Sequence, residues 1–61
     1  MSMFRILINA DDEEKQNIYD AMDENGIDYD FDDGDRILVD ETYLEETTEL
    51  LDEYGLDYDI I

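Results

Sequence analysis

Chemistry in this 61-residue chain would have to come from carboxylates, since Asp and Glu supply 21 residues while His, Cys, Pro and Trp are absent. Ser2 is the only serine, and with no histidine to act as its base no catalytic triad can be assembled. Paired carboxylates can hydrolyse glycosidic bonds, but one of them needs an apolar pocket that raises its pKa, and the pair needs a cleft for substrate. A chain this short, already committed to a core, has little room for either, so no enzymatic activity is expected.

The second chemistry open to carboxylates is divalent-cation binding, for which Asp28-x-Asp30-x-Asp32-Asp33-Gly34-Asp35 is the obvious stretch. It fails on register. A calcium loop starting at Asp28 needs Gly at its sixth position and Glu at its twelfth, and these are Asp33 and Val39. Alternation along a strand also spreads the Asp side chains over a face instead of converging them on an ion. No specific metal site and no cofactor is expected, and without a Gly-rich loop there is no cradle for phosphate.

The elements that position these acids follow from an internal repeat. Arg5-Ile6-Leu7-Ile8-Asn9 recurs as Arg36-Ile37-Leu38-Val39-Asp40, and Gly26-Ile27-Asp28-Tyr29-Asp30-Phe31 as Gly55-Leu56-Asp57-Tyr58-Asp59-Ile60. One domain over residues 1–61 with pseudo-repeats at about 3–32 and 35–61 is expected, each reading strand, helix, strand. The offset is 31 at the front and 29 at the back, which predicts a first helix longer than the second. Asp11-x-x-Glu14 and Thr42-x-x-Glu45 read as capping boxes, and Gly26 and Gly55 as left-handed helix stops followed by apolar Ile27 and Leu56. Inward stripes are predicted at Ile18, Ala21, Met22 and Asn25, and at Tyr43, Leu44, Thr47, Leu50, Leu51 and Tyr54.

Period-two alternation places Phe4, Ile6, Ile8, Ile27, Tyr29, Phe31, Ile37, Val39, Leu56, Tyr58 and Ile60 on one side of a sheet, and Asp33-Gly34-Asp35 marks the central hairpin. The order β-α-β-β-α-β resembles the ferredoxin-like fold. That resemblance implies an α+β sandwich, a four-stranded antiparallel sheet of order 4-1-3-2 with two helices on one face. Both edge strands would then carry outward acids, Asp28, Asp30 and Asp32 on one and Asp57 and Asp59 on the other. Between them lie Arg5 and Arg36 with Leu7 and Leu38, an apolar centre in an acidic frame. RNA-binding members of the fold stack bases on exposed sheet aromatics among basic residues, and here the outer face is acidic while the aromatics fall inward.

A formal charge of −18 would be repelled by nucleic acid and by anionic lipid, so neither is expected as a direct partner. No run approaches a membrane span, and Met3 to Ala10 lacks the cleavage site of a leader, which reads as cytoplasmic. Carboxylates at helical spacing lie about 5–6 Å apart, a density suited to the basic grooves of DNA-binding proteins. By charge and size the chain resembles phage-encoded acidic DNA-mimic inhibitors, although it carries no motif of theirs. The resemblance implies inhibition of a basic nucleic-acid-binding protein of restriction, CRISPR, repair or chromatin type. The expected footprint is Asp20, Asp23 and Glu24 on the first helix with Glu45, Glu46, Glu49, Asp52 and Glu53 on the second. The strand rows are the rival footprint, and Tyr19, Leu7 and Leu38 the candidate anchors. The alternative is a small acidic interaction module, a homodimeric or heteromeric adaptor that meets its partner through the leucine centre of the open sheet face, with adaptation to a high-salt cytoplasm as a second account of the charge.

Overall fold

Strands in this chain are apolar on one side only, so the sheet must be covered on that side and can be open on the other. The computed structural model, which describes residues 2–61, shows this arrangement. Its elements are β1 (Met3–Asn9), α1 (Asp12–Glu24), β2 (Tyr29–Asp33), β3 (Arg36–Asp40), α2 (Glu41–Glu53) and β4 (Asp57–Ile60). The four strands form one antiparallel sheet in the order β2-β3-β1-β4. This is the ferredoxin-like α+β fold, with the strand order that the resemblance implies.

Ile6 faces Ile37 and Phe4 faces Val39 across the central β1–β3 pair. Ile6, Ile8, Ile37 and Val39 are buried against Ile18 and Met22 of α1, Leu51 of α2, and Ile27 and Leu56 just beyond the two helices. At about 1.5–3 kcal/mol for each fully buried branched side chain, this cluster is the main source of stability in so small a chain. Thr47 is a polar exception, fully buried with its Oγ1 donating to the carbonyl of Tyr43 at 2.7 Å.

Both helices stop as their glycines require. Gly26 and Gly55 have φ of +69° and +71°, in the left-handed region. The amide of Ile27 donates to the carbonyl of Met22 and that of Leu56 to Leu51, each at 2.9 Å, while Gly26 and Gly55 donate to Asp23 and Asp52. These are two Schellman motifs, and the residues that close each of them, Met22 with Ile27 and Leu51 with Leu56, belong to the core.

The helix starts correct the sequence expectation in two respects. Asp11 does cap α1, accepting from the amide of Glu14 at 2.8 Å. The second cap is Asp40, which accepts from the amide of Thr42 at 2.9 Å, so Thr42 lies inside α2 and its expected box is not the helix start. Counted from these caps the helices are equal, 13 residues each. The two-residue slip lies instead in the connection before α1. Ala10 and Asp11 separate β1 from α1, whereas α2 follows β3 directly. Asn25 and Tyr54, expected on the inward stripes, are exposed C-cap residues.

A Cβ at Gly55 or at Gly34 would meet nothing within 4 Å, so the two sites separate backbone strain from crowding. Gly55→Ala should lower unfolding free energy by about 1–2 kcal/mol, the cost of a left-handed L-residue. Gly34→Ala, where φ is not positive, should change it by less than about 0.5 kcal/mol. Urea denaturation of the two variants measures the difference.

Candidate functional site

The open face of the sheet is built by the residues that alternate with the core. Arg5 lies opposite Leu38 and Leu7 opposite Arg36 across β1–β3, while Asp30 flanks Leu38 and Asp59 flanks Leu7. Each leucine therefore sits between an arginine and an aspartate. Both leucines are half-buried, and long Arg side chains commonly cover apolar neighbours in this way. The centre of the face is thus a mixed patch of partly covered leucines and charged groups, and the expected homodimer through it loses its apolar basis.

The three cations share a destination. Arg5 Nε meets Asp32 Oδ2 at 2.7 Å, Arg36 Nη2 meets Asp33 Oδ2 at 3.5 Å, and Lys15 Nζ meets Asp35 Oδ1 at 2.5 Å. All three acids belong to the β2–β3 hairpin, Asp32 and Asp33 at the end of β2 and Asp35 in its turn. A register shift between Phe31 and Asp33 makes the convergence possible. It brings Asp33 opposite Arg36, on the same side as Asp32, where a regular strand would alternate them.

Lys15 was not expected to matter, yet only 8% of it is exposed. Its position was legible, since Lys15 precedes Ile18 by three residues and Met22 by seven and so continues the inward stripe of α1. A cation on such a stripe needs an acid partner, which the hairpin turn supplies. The Asp35 hydrogen bond raises the Lys15 pKa, and the Lys15 hydrogen bond lowers that of Asp35. The amide of Thr42 likewise lowers the pKa of Asp40.

Tyr19, expected as an outward anchor, is instead 9% exposed. Its ring stacks on Tyr29 at 5.6 Å and meets the edge of Phe31 at 5.2 Å, and burial raises the pKa of both tyrosines. The apolar body of the ring found more surface to bury on β2 than the outward side of α1 could offer. Phe31 shows the reverse departure. Its register puts it on the helix side, opposite Ile37, yet on this outer strand it stays 64% exposed while touching the rings of Tyr19 and Tyr29.

The expected acids are all at the surface: Asp20, Asp23, Glu24, Glu45, Glu46, Glu49, Asp52 and Glu53 on the helices, and Asp28, Asp30, Asp32, Asp57 and Asp59 along the strand edges. Between the helices lies a shallow groove of about 300 Å³ with Ile27 and Leu50 among Asn25, Glu46, Glu49 and Glu53. Among the described residues no three acidic side chains converge as metal ligands would.

These charges give a signed pH dependence. Lys15 contributes stability in full below its ordinary value of 10.5 and loses it as pH rises beyond. Asp35 and Asp40 contribute above their ordinary value of 3.8 and lose it as pH falls below. Between those values all three groups keep their charge, so thermal unfolding in low salt should show a level midpoint between about pH 5.5 and 8.5, with these contributions lost only below 3.8 or above 10.5. Salt added at pH 7.5 should raise the midpoint by screening the self-repulsion of the −18 charge, each kcal/mol of relieved repulsion raising Tm by roughly 4–8 °C.

A family model, FliF N-terminal domain, matches residues 6–56. No curated protein and no solved structure matches the chain. The matched span begins within β1 and ends just before β4, taking in both helices and the β2–β3 hairpin that gathers the cations, with Arg5 and β4 outside it. FliF is the protein of the flagellar M-ring, a membrane-associated ring of the basal body. This overturns the reading as a phage-encoded DNA mimic and the alternative of a halophilic adaptor, and with them the basic nucleic-acid-binding partner and the cytoplasmic location. Acidic density, which suggested the mimic, is a property of surface charge that many functions share. Among the described residues no helix is long and apolar enough to cross a membrane. The match spans most of the chain, and the chain belongs to the FliF N-terminal domain family.

Proposed function

We propose that this chain is an assembly module of the flagellar M-ring type, acting through contacts with flagellar proteins and without enzymatic activity. The observation that supports it is the family match over residues 6–56. The residue inventory fits a module of this kind. With no histidine or cysteine the chain lacks the usual acid–base and nucleophilic groups, and its surface chemistry is almost wholly carboxylate. A four-stranded sheet with one covered side is a rigid platform for such contacts, and its exposed acids select partners by charge and by on-rate.

Affinity-tagged protein expressed from its own locus tests the reading. Detergent-solubilised basal bodies from that strain should contain the tagged chain at a fixed ratio to the other ring proteins, and deletion should reduce the number of assembled rings. Absence of the chain from purified basal bodies, with ring number unchanged on deletion, would contradict the proposal.

A further inference from the structure

The outer edge of β2 combines three features, and one of them, an exposed ring braced by other aromatic rings, is not found on the other edge strand, β4. Its backbone pairs with β3 alone, so alternate amide and carbonyl groups along Tyr29–Asp33 face outward without a strand partner. On the open side of that edge stand Asp30 and Asp32, with Asp28 just before the strand. Arg5 holds Asp32, which leaves Asp30 with no ion-pair partner among the described residues. On the other side stands Phe31, the most exposed of the large hydrophobic residues, fixed in edge-to-face contact with Tyr19 at 5.2 Å and Tyr29 at 5.5 Å.

An aromatic ring braced by two others, yet exposed beside free backbone groups, is positioned to pack on something added to the edge. Charge decides what that is. A second copy would bring its own −18 and its own acidic edges, and like charges facing each other across a strand pair are destabilising. The acid row thus rejects copies of this chain and admits a cationic strand, which is discrimination by repulsion as well as by attraction.

We propose that the outer edge of β2 accepts an extended segment of a flagellar partner in which basic and apolar residues alternate. The identity of the partner class rests on the assembly reading above. Period-two alternation places the basic side chains beside Asp30 and Asp28 and the apolar ones on Phe31 and Tyr29, while backbone hydrogen bonds extend the sheet. The shift in register between Phe31 and Asp33 confines the regular ladder to Tyr29, Asp30 and Phe31, so the docked segment is short.

The test uses isotope-labelled full chain and a synthetic hexapeptide alternating lysine with valine or phenylalanine. One control has the same composition with its lysines in a block, and a second has alternate amides N-methylated. Saturable binding is expected, with chemical-shift changes and slowed amide exchange confined to residues 28–33. Affinity should fall at least tenfold for either control peptide and for Phe31→Thr, and severalfold for Asp30→Asn, which leaves the aromatic contacts intact. Equal binding of the block or N-methylated peptide would overturn the proposal in favour of charge adsorption. Protection at Glu46, Glu49 and Glu53 or along β4 would overturn the choice of edge. A chain that enters basal bodies but binds no alternating peptide removes β2 as the docking edge and leaves the assembly reading standing; a chain absent from basal bodies removes that reading itself.

Discussion

Three cations serve 21 carboxylates in this protein, and the structure directs all three to one hairpin. That allocation follows from where attraction is most needed. Tyr29 is the only residue of β2 that is even half-buried, so burial contributes little to holding the strand. Arg5 reaches it across the sheet from β1, Lys15 reaches the turn from α1, and Arg36 closes the hairpin on itself. Exposed ion pairs are usually worth about 0–1 kcal/mol. Here their value is local, because each also removes an acid from the repulsion along β2.

The rest of the molecule divides accordingly. β1 and β3 form a dry centre whose buried isoleucines and valine pack on both helices, and this part owes little to charge. β2 lies outside it, held by an aromatic trio and by ion pairs, and therefore keeps a usable backbone edge and an exposed ring. Stability and availability for contact are thus assigned to different strands. The proposed assembly role needs both, a fixed platform and an edge that is not already satisfied.

Much of this was legible in the residues. The period-two runs from Phe4, Ile37 and Leu56 gave the covered face, and Gly26 and Gly55 with their following apolar residues gave both helix ends, because each rests on a local rule that packing did not override. The start of α2 was misread because Thr42 and Glu45 mimic a capping box, while Asp40, two residues earlier, is also a strand residue by its alternation. Tyr19 was misplaced because its outward helical position competes with the apolar surface of Tyr29 and Phe31, which only the folded edge brings near. Lys15 could have been found from its place on the buried stripe, but its partner Asp35 is 20 residues away and no spacing rule joins them. Function was the least legible, since dense carboxylate is compatible with mimicry, solubility and assembly alike, and it took the family match over 6–56 to overturn mimicry.

The central claim is that ion pairs add to the aromatic trio and the β3 ladder in holding β2 to the sheet, where the main core contributes little. Native-state amide exchange in Arg5→Gln against the unmodified protein tests it most directly, since local opening and global unfolding are read at different amides. Loss of a pair worth up to about 1 kcal/mol should speed exchange within Tyr29–Asp33 by up to about fivefold, while Ile6, Ile8 and Leu51 keep their protection. Unchanged exchange along β2, or a uniform loss of protection across the core as well, would contradict it.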